Sequence, residues 1–238
     1  MHQIIVNGLP IDVVRKDIKN LHLGVYPPDG RVRVAAPLRL DDEAVRLAVI
    51  SRLGWIQRQQ AKFQAQERET PREYVTGESH YFQGERYRLN VEERDGPSRV
   101  VVRNRQYIDL FVRPGSTTAY REKVLAAWYR ASLHAAVPAL IEKWEAVMGV
   151  QVAAWGIRQM KTRWGSCKTE TGRIIVNQEL AKKSPHCLEF IVIHEMTHLL
   201  ERKHSERFTA LMTQFLPLWR LYREELNREP LGYAEWEY

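Results

Sequence analysis

The chain has 238 residues, 44% hydrophobic and 27% charged, with 36 Lys and Arg against 29 Asp and Glu for a formal charge of +7. These proportions describe a folded globular chain able to bury one sizeable core or two smaller ones, with nothing in them that looks disordered. Cys167 and Cys187 are expected to be reduced thiols; no apolar run approaches a membrane span and the first twenty residues lack a signal-peptide core, so a cytoplasmic location with no membrane partner is the expectation.

In chain order, Gln3 to Val6 and Ile11 to Arg15 read as strands around Asn7-Gly8, the dipeptide best suited to a tight hairpin because both residues tolerate positive φ. Leu21 to Tyr26 and Arg31 to Ala35 bracket the turn Pro27-Pro28-Asp29-Gly30, and a helix is predicted from Asp41-Asp42 toward Gln66. Further strands are predicted at Tyr81 to Phe82, Arg86 to Glu92, Arg99 to Val102 and Tyr107 to Val112. Pro114-Gly115-Ser116 then marks a predicted boundary between a β-rich module with one helix, residues 1–115, and a helical domain, residues 116–238. Tyr120 to Trp144 repeats apolar residues at helical spacing, with Pro138 expected to kink or break the helix. Gly156 to Cys167 and Arg173 to Asn177 read as a hairpin, and Leu218 to Asn227 as a last helix after Pro217. No internal repeat is visible.

The most informative segment is His194-Glu195-Met196-Thr197-His198, followed six residues later by His204. Histidines at i and i+4 share one helical face and can reach one metal ion, while the glutamate beside the first can act on a water held there. Ser184 suits the N-cap and Pro185 the first helical position, and Leu188, Phe190, Ile191, Val192, Ile193 and Met196 make the helix apolar nearly all round. Ser205 is placed to cap a following helix with Phe208, Leu211, Met212 and Phe215 on one face. A catalytic zinc needs three protein ligands and an open position. His204, in the corner between the two helices, is the nearest third ligand; Glu224 or Glu225 on the last helix and Cys167 upstream are the alternatives. The spacing equals that of metzincins, but Glu201 stands where those have the glycine of the bend. The pattern points to metal-assisted hydrolysis with one zinc ion held by His194, His198 and His204 and with Glu195 as general base.

Between Arg158 and Lys183, seven cations (Arg158, Lys161, Arg163, Lys168, Arg173, Lys182, Lys183) face two anions, Glu170 and Glu179, a net of +5. Such a cluster offers nucleic acid a possible contact through Arg158, Lys161, Arg163, Lys168 and Arg173, or it forms a solvated face balanced by the acidic residues near the C-terminus.

The series Lys161-Thr162-Arg163-Trp164-Gly165-Ser166-Cys167, then Asn177, His194-Glu195-x-x-His198 and His204-Ser205-x-x-Phe208 resembles the YgjP-like family of predicted metal-dependent hydrolases, relatives of the SprT and Spartan type metalloproteases. The resemblance implies an α+β fold, with the β-rich N-terminal module followed by a zincin-like helical metallopeptidase domain carrying a small antiparallel sheet. It also implies zinc on His194, His198 and His204, Glu195 as general base, and a Trp164-bearing strand beside the cleft. The expected activity is that of a zinc metallopeptidase on polypeptide; the strand near Trp164 to Cys167 either holds an extended substrate by strand addition or is merely structural, with Trp164 a core residue. The alternatives are an amidase or deformylase acting on a small substrate, and a DNA-associated protein with a structural metal.

Overall fold

A computed structural model describes residues 2–26, 30–65, 72–160 and 163–228, and the chain divides into two compact units, Met1–Glu67 and Arg68–Tyr238. In the first unit, β1 (His2–Val6), β2 (Leu9–Lys16), β3 (His22–Tyr26) and β4 (Arg31–Pro37) form a sheet in the order β1-β2-β4-β3. The outer pairs are antiparallel and β2 and β4 are parallel. Asn7 and Gly8 make the predicted hairpin turn, with φ of 49° and 78°. Of the second predicted turn, residues 27–29 lie outside the described residues. Inward-facing Val6, Ile11, Val13, Val32 and Val34 pack on Val45, Val49 and Ile56. These last three belong to α1 (Asp42–Ile50) and α2 (Leu53–Ala65), where a single helix was expected. The Asp41 carboxylate caps α1 by accepting from the Ala44 amide at 2.8 Å. Ser51 and Arg52 separate the two helices, with the Ser51 hydroxyl bonded back to the Ala48 carbonyl at 2.9 Å.

The second unit repeats that strand plan without repeating its sequence. β5 (Ser79–Phe82), β6 (Glu85–Glu93), β7 (Arg99–Arg103) and β8 (Tyr107–Val112) form a sheet in the order β5-β6-β8-β7, again antiparallel at both ends and parallel in the middle. Here α3 (Thr118–Met148) covers the sheet, its stripe Leu125, Tyr129, Leu133, Val137, Ile141, Trp144 and Met148 meeting Leu89, Ile108, Leu110 and Val112 in one core. The predicted boundary at Pro114-Gly115-Ser116 therefore falls inside this unit. Those residues form a β-to-α turn, with Gly115 at φ 69° and Thr117 capping the Tyr120 amide at 3.3 Å, and both flanking elements contribute to the same core. Pro138 does not break the helix, since buried Leu133, Val137 and Ile141 pin it on either side. By length and composition α3 could cross a bilayer, against the sequence expectation, but its apolar stripe is spent on this core.

The chain continues through β9 (Ala154–Arg158), β10 (Gly165–Lys168) and β11 (Arg173–Asn177) into α4 (Pro185–Thr197), α5 (Glu206–Phe215) and α6 (Trp219–Arg228). The small sheet has the order β10-β11-β9: its hairpin, β10 with β11, is antiparallel, whereas β9 joins β11 in parallel, so the sheet is mixed rather than purely antiparallel. The cause is a break in the stretch expected to run from Gly156 to Cys167. Asn177, 2% exposed, donates to the carbonyls of Met160 and Arg163, both at 2.7 Å, and accepts from the Met160 amide at 3.2 Å, tying the backbone just after β9 and just before β10 to the end of β11. β10 is thereby left at the sheet edge, beside α4.

Candidate metal centre

Helix α4 places His194, Glu195 and His198 where its apolar body meets the small sheet, with Cys187, Phe190, Ile191, Val192, Ile193 and Met196 buried around it. Ser184 occupies the N-cap, but its hydroxyl makes no cap bond and is shared by the Glu225 carboxylate at 2.5 Å and the His186 ring at 2.9 Å. Past Thr197 the chain turns back through residues 198–205 with no positive φ, so the bend proceeds with Glu201 and needs no glycine. Ser205 then caps α5 by accepting from the Phe208 amide at 3.3 Å.

This turn brings His204 to the α4 histidines. One ligand atom from each of His194, His198 and His204 lies within 4.8 Å of the others, and the Nε2 atoms of His194 and His204 are 3.1 Å apart. His198 Nδ1 is 3.2 Å from the Glu201 carbonyl, an arrangement in which Nδ1–H donates and Nε2 keeps its lone pair for a metal. The Phe208 ring underlies all three imidazoles, with centroid separations of 5.0, 4.7 and 4.7 Å to His194, His198 and His204. Burial first, then His198, His204 and Arg223, pushes the His194 pKa down to about 3, so near neutral pH this ring is in the uncharged form that ligates metals. Burial likewise lowers that of His198.

Glu195 is 5% exposed and packs its carboxyl against the backbone of β10. A Cβ on Gly165 would lie 2.5 Å from Glu195 Oε1 and 2.7 Å from its Cγ, so only glycine leaves room for this carboxyl. Burial pushes the Glu195 pKa up to about 8, opposed by the Arg163 guanidinium. Cys167 lines the same cleft, its thiol raised to about 11 by burial and by Glu195 and Glu170, but it is not among the clustered donors. Glu225 is occupied with Ser184 and His186. A second cluster, His186, Cys187 and Glu225, is accounted for by these hydrogen bonds.

The cleft, of about 1010 Å³, runs between β10 and helices α4, α5 and α6. Of the basic residues read from the sequence, Arg163 and Lys168 line it; Arg158 and Arg173 are exposed on β9 and β11 away from it, and Lys161 lies outside the described residues. Lys182 pairs with Glu179 at 2.7 Å, and Lys183 is buried with its ammonium 5.7 Å from the Trp164 ring centroid. Sequence reasoning had placed Phe208 on a helix face without its role beneath the histidines. It did not single out Gly165 as the space for Glu195, or Arg223 and Trp219 as cleft walls.

No curated protein matches this chain. Among solved structures, the crystal structure of the metallopeptidase zymogen of Pyrococcus abyssi abylysin is similar at 21% identity and a TM-score of 0.36, covering 40% of this chain and 99% of that one. The YgjP-like metallopeptidase domain matches residues 19–229, nearly the whole chain, which therefore belongs to the YgjP-like family of metal-dependent peptidases.

Proposed function

We propose that the metal is a single zinc ion held by His194, His198 and His204, and that Glu195 is the general base of peptide hydrolysis. The observation that carries this reading is the convergence of three imidazoles, with a buried carboxyl beside them, at the wall of a cleft. Two nitrogens on one tetrahedral zinc, each about 2.0–2.1 Å from it, stand about 3.4 Å apart, and the 3.1 Å between His194 and His204 Nε2 is close to that spacing. Three imidazoles with no fourth donor in the cluster suit a catalytic site better than a closed structural one. Zinc bound there would supply Lewis acidity, polarising a carbonyl and acidifying a water, and its charge would favour the ionised form of Glu195.

The residues supply the rest. Glu195 takes the proton of the attacking water and passes it to the leaving amine, a transfer that depends on the place Gly165 leaves for it. Phe208 fixes the ring planes and keeps water from beneath them. The outer edge of β10, which pairs with no strand among the described residues, can hold an extended peptide by backbone hydrogen bonds. A cleft of about 1010 Å³ and a Cys167 that stands apart from the donor cluster favour polypeptide over a small amide. The test compares wild type with Glu195→Gln. Zinc stoichiometry should be equal and peptide cleavage lost only in the variant; equal cleavage by both proteins refutes the assignment.

A further inference from the structure

The walls of the cleft are cationic. Arg163 precedes β10, Lys168 ends it, Arg202 lies in the turn between His198 and His204, and Arg223 belongs to α6. Two carboxylates face them: Glu170, paired with Arg202 at 3.3 Å, and the buried Glu195. Among the described residues, Arg163, Lys168 and Arg223 form no ion pair of their own. They are not spread at random around the site. Gly165 marks where Glu195 meets β10. At about 3.3 Å per strand residue, Lys168 lies roughly 10 Å further along, while Arg163 stands two residues to the other side.

Resting on the peptidase reading above, we infer that the cleft selects acidic polypeptide segments, with Asp or Glu side chains on both sides of the scissile bond. An extended chain along β10 presents side chains to both walls, which are lined by Arg163, Lys168 and Arg223 together with Trp164 and Trp219. Duplex DNA is the less suitable occupant, because groove reading calls for a protruding helix or ribbon, whereas these cations sit on the walls of a cleft and Arg158 and Arg173 lie outside it.

The test separates binding from hydrolysis. On zinc-loaded Glu195→Gln protein, the affinity of a fluorescent decapeptide with Asp or Glu at three positions is compared with that of its Asn/Gln counterpart at low and high salt. Three charge pairs of ordinary surface strength amount to about ten-fold tighter binding or more, shrinking as salt is raised. Lys168→Gln should reduce the ratio, and Lys168→Glu with Arg223→Glu should invert it in favour of a Lys-bearing peptide, circular dichroism verifying the fold. Equal affinity of wild-type-charge protein for acidic and neutral peptides overturns the inference. So does a DNA duplex that binds these cations with steep salt dependence while the peptides are not distinguished. Neither result touches the peptidase reading, which is tested separately by whether zinc-loaded wild type cleaves peptides and Glu195→Gln does not.

Discussion

The contact between Gly165 and Glu195 yields the sharpest prediction. Gly165 has no positive φ, so its backbone accepts alanine and the effect of Gly165→Ala is purely one of space. The new methyl would sit 2.5 Å from Oε1, 2.7 Å from Cγ and 2.9 Å from Cδ of Glu195, each well inside the separation of about 3.5–4.0 Å at which carbon atoms attract. Relief requires the carboxyl to move by something approaching 1 Å, a misplacement that costs on the order of 100-fold in rate, or about 2.7 kcal/mol of transition-state stabilisation. Overpacking should lower stability by about 1–3 kcal/mol. The assay is kcat/KM on a quenched fluorescent peptide together with zinc stoichiometry and denaturant melts. Activity should fall, zinc should remain, and the stability cost should largely vanish in a Glu195→Ala background, because the atoms being struck are gone. Wild-type kcat/KM in Gly165→Ala, or an identical stability cost in both backgrounds, would refute the steric argument.

Phe208→Ala should cost about 3–5 kcal/mol by leaving a cavity and weaken zinc binding about 10–100-fold by releasing the three rings from their common support, as read by chelator competition; unchanged zinc affinity would deny Phe208 its supporting role. His80, 2% exposed, is lowered to a pKa of about 3 by burial first and then by Arg72 and Lys182. The Glu78 carboxylate, 3.7 Å away, is engaged by the Tyr74 amide at 2.6 Å. Because the folded value lies below the unfolded value of about 6.5, the native state loses stability as pH falls below 6.5, by about 2–3 kcal/mol at pH 4.5. Urea melts of His80→Leu across that range should show a correspondingly flatter pH dependence, and a slope equal to wild type would contradict this.

What the sequence made legible was mainly local. Histidines one helical turn apart and an apolar α4 announce themselves within the thirteen residues of that helix and its C-cap His198, and Ser205 with Phe208 marks the next helix. The turn at Asn7-Gly8 was readable for the same reason. Pairing direction was not: nothing in Ala154–Arg158 states that it lies parallel to β11, since the break behind it is held by Asn177, nineteen residues beyond Arg158 in sequence. The unit boundary was misplaced because Pro114-Gly115-Ser116 has the composition of a linker, while the burial that joins β8 to α3 is a property of the folded core. Gly165 was quoted only within a motif, because its reason is a carboxyl thirty positions later. The shared strand plan of the two units is invisible for a related reason, since topology constrains patterns of burial more than residue identity.

X-ray absorption at the zinc edge of the purified protein tests the central claim most directly. The account predicts three nitrogen scatterers from His194, His198 and His204 and one light oxygen, all at about 2.0–2.1 Å, with one nitrogen lost in His204→Ala. A sulfur at about 2.3 Å, which would bring in Cys167, or a coordination shell indifferent to His204→Ala, would contradict it.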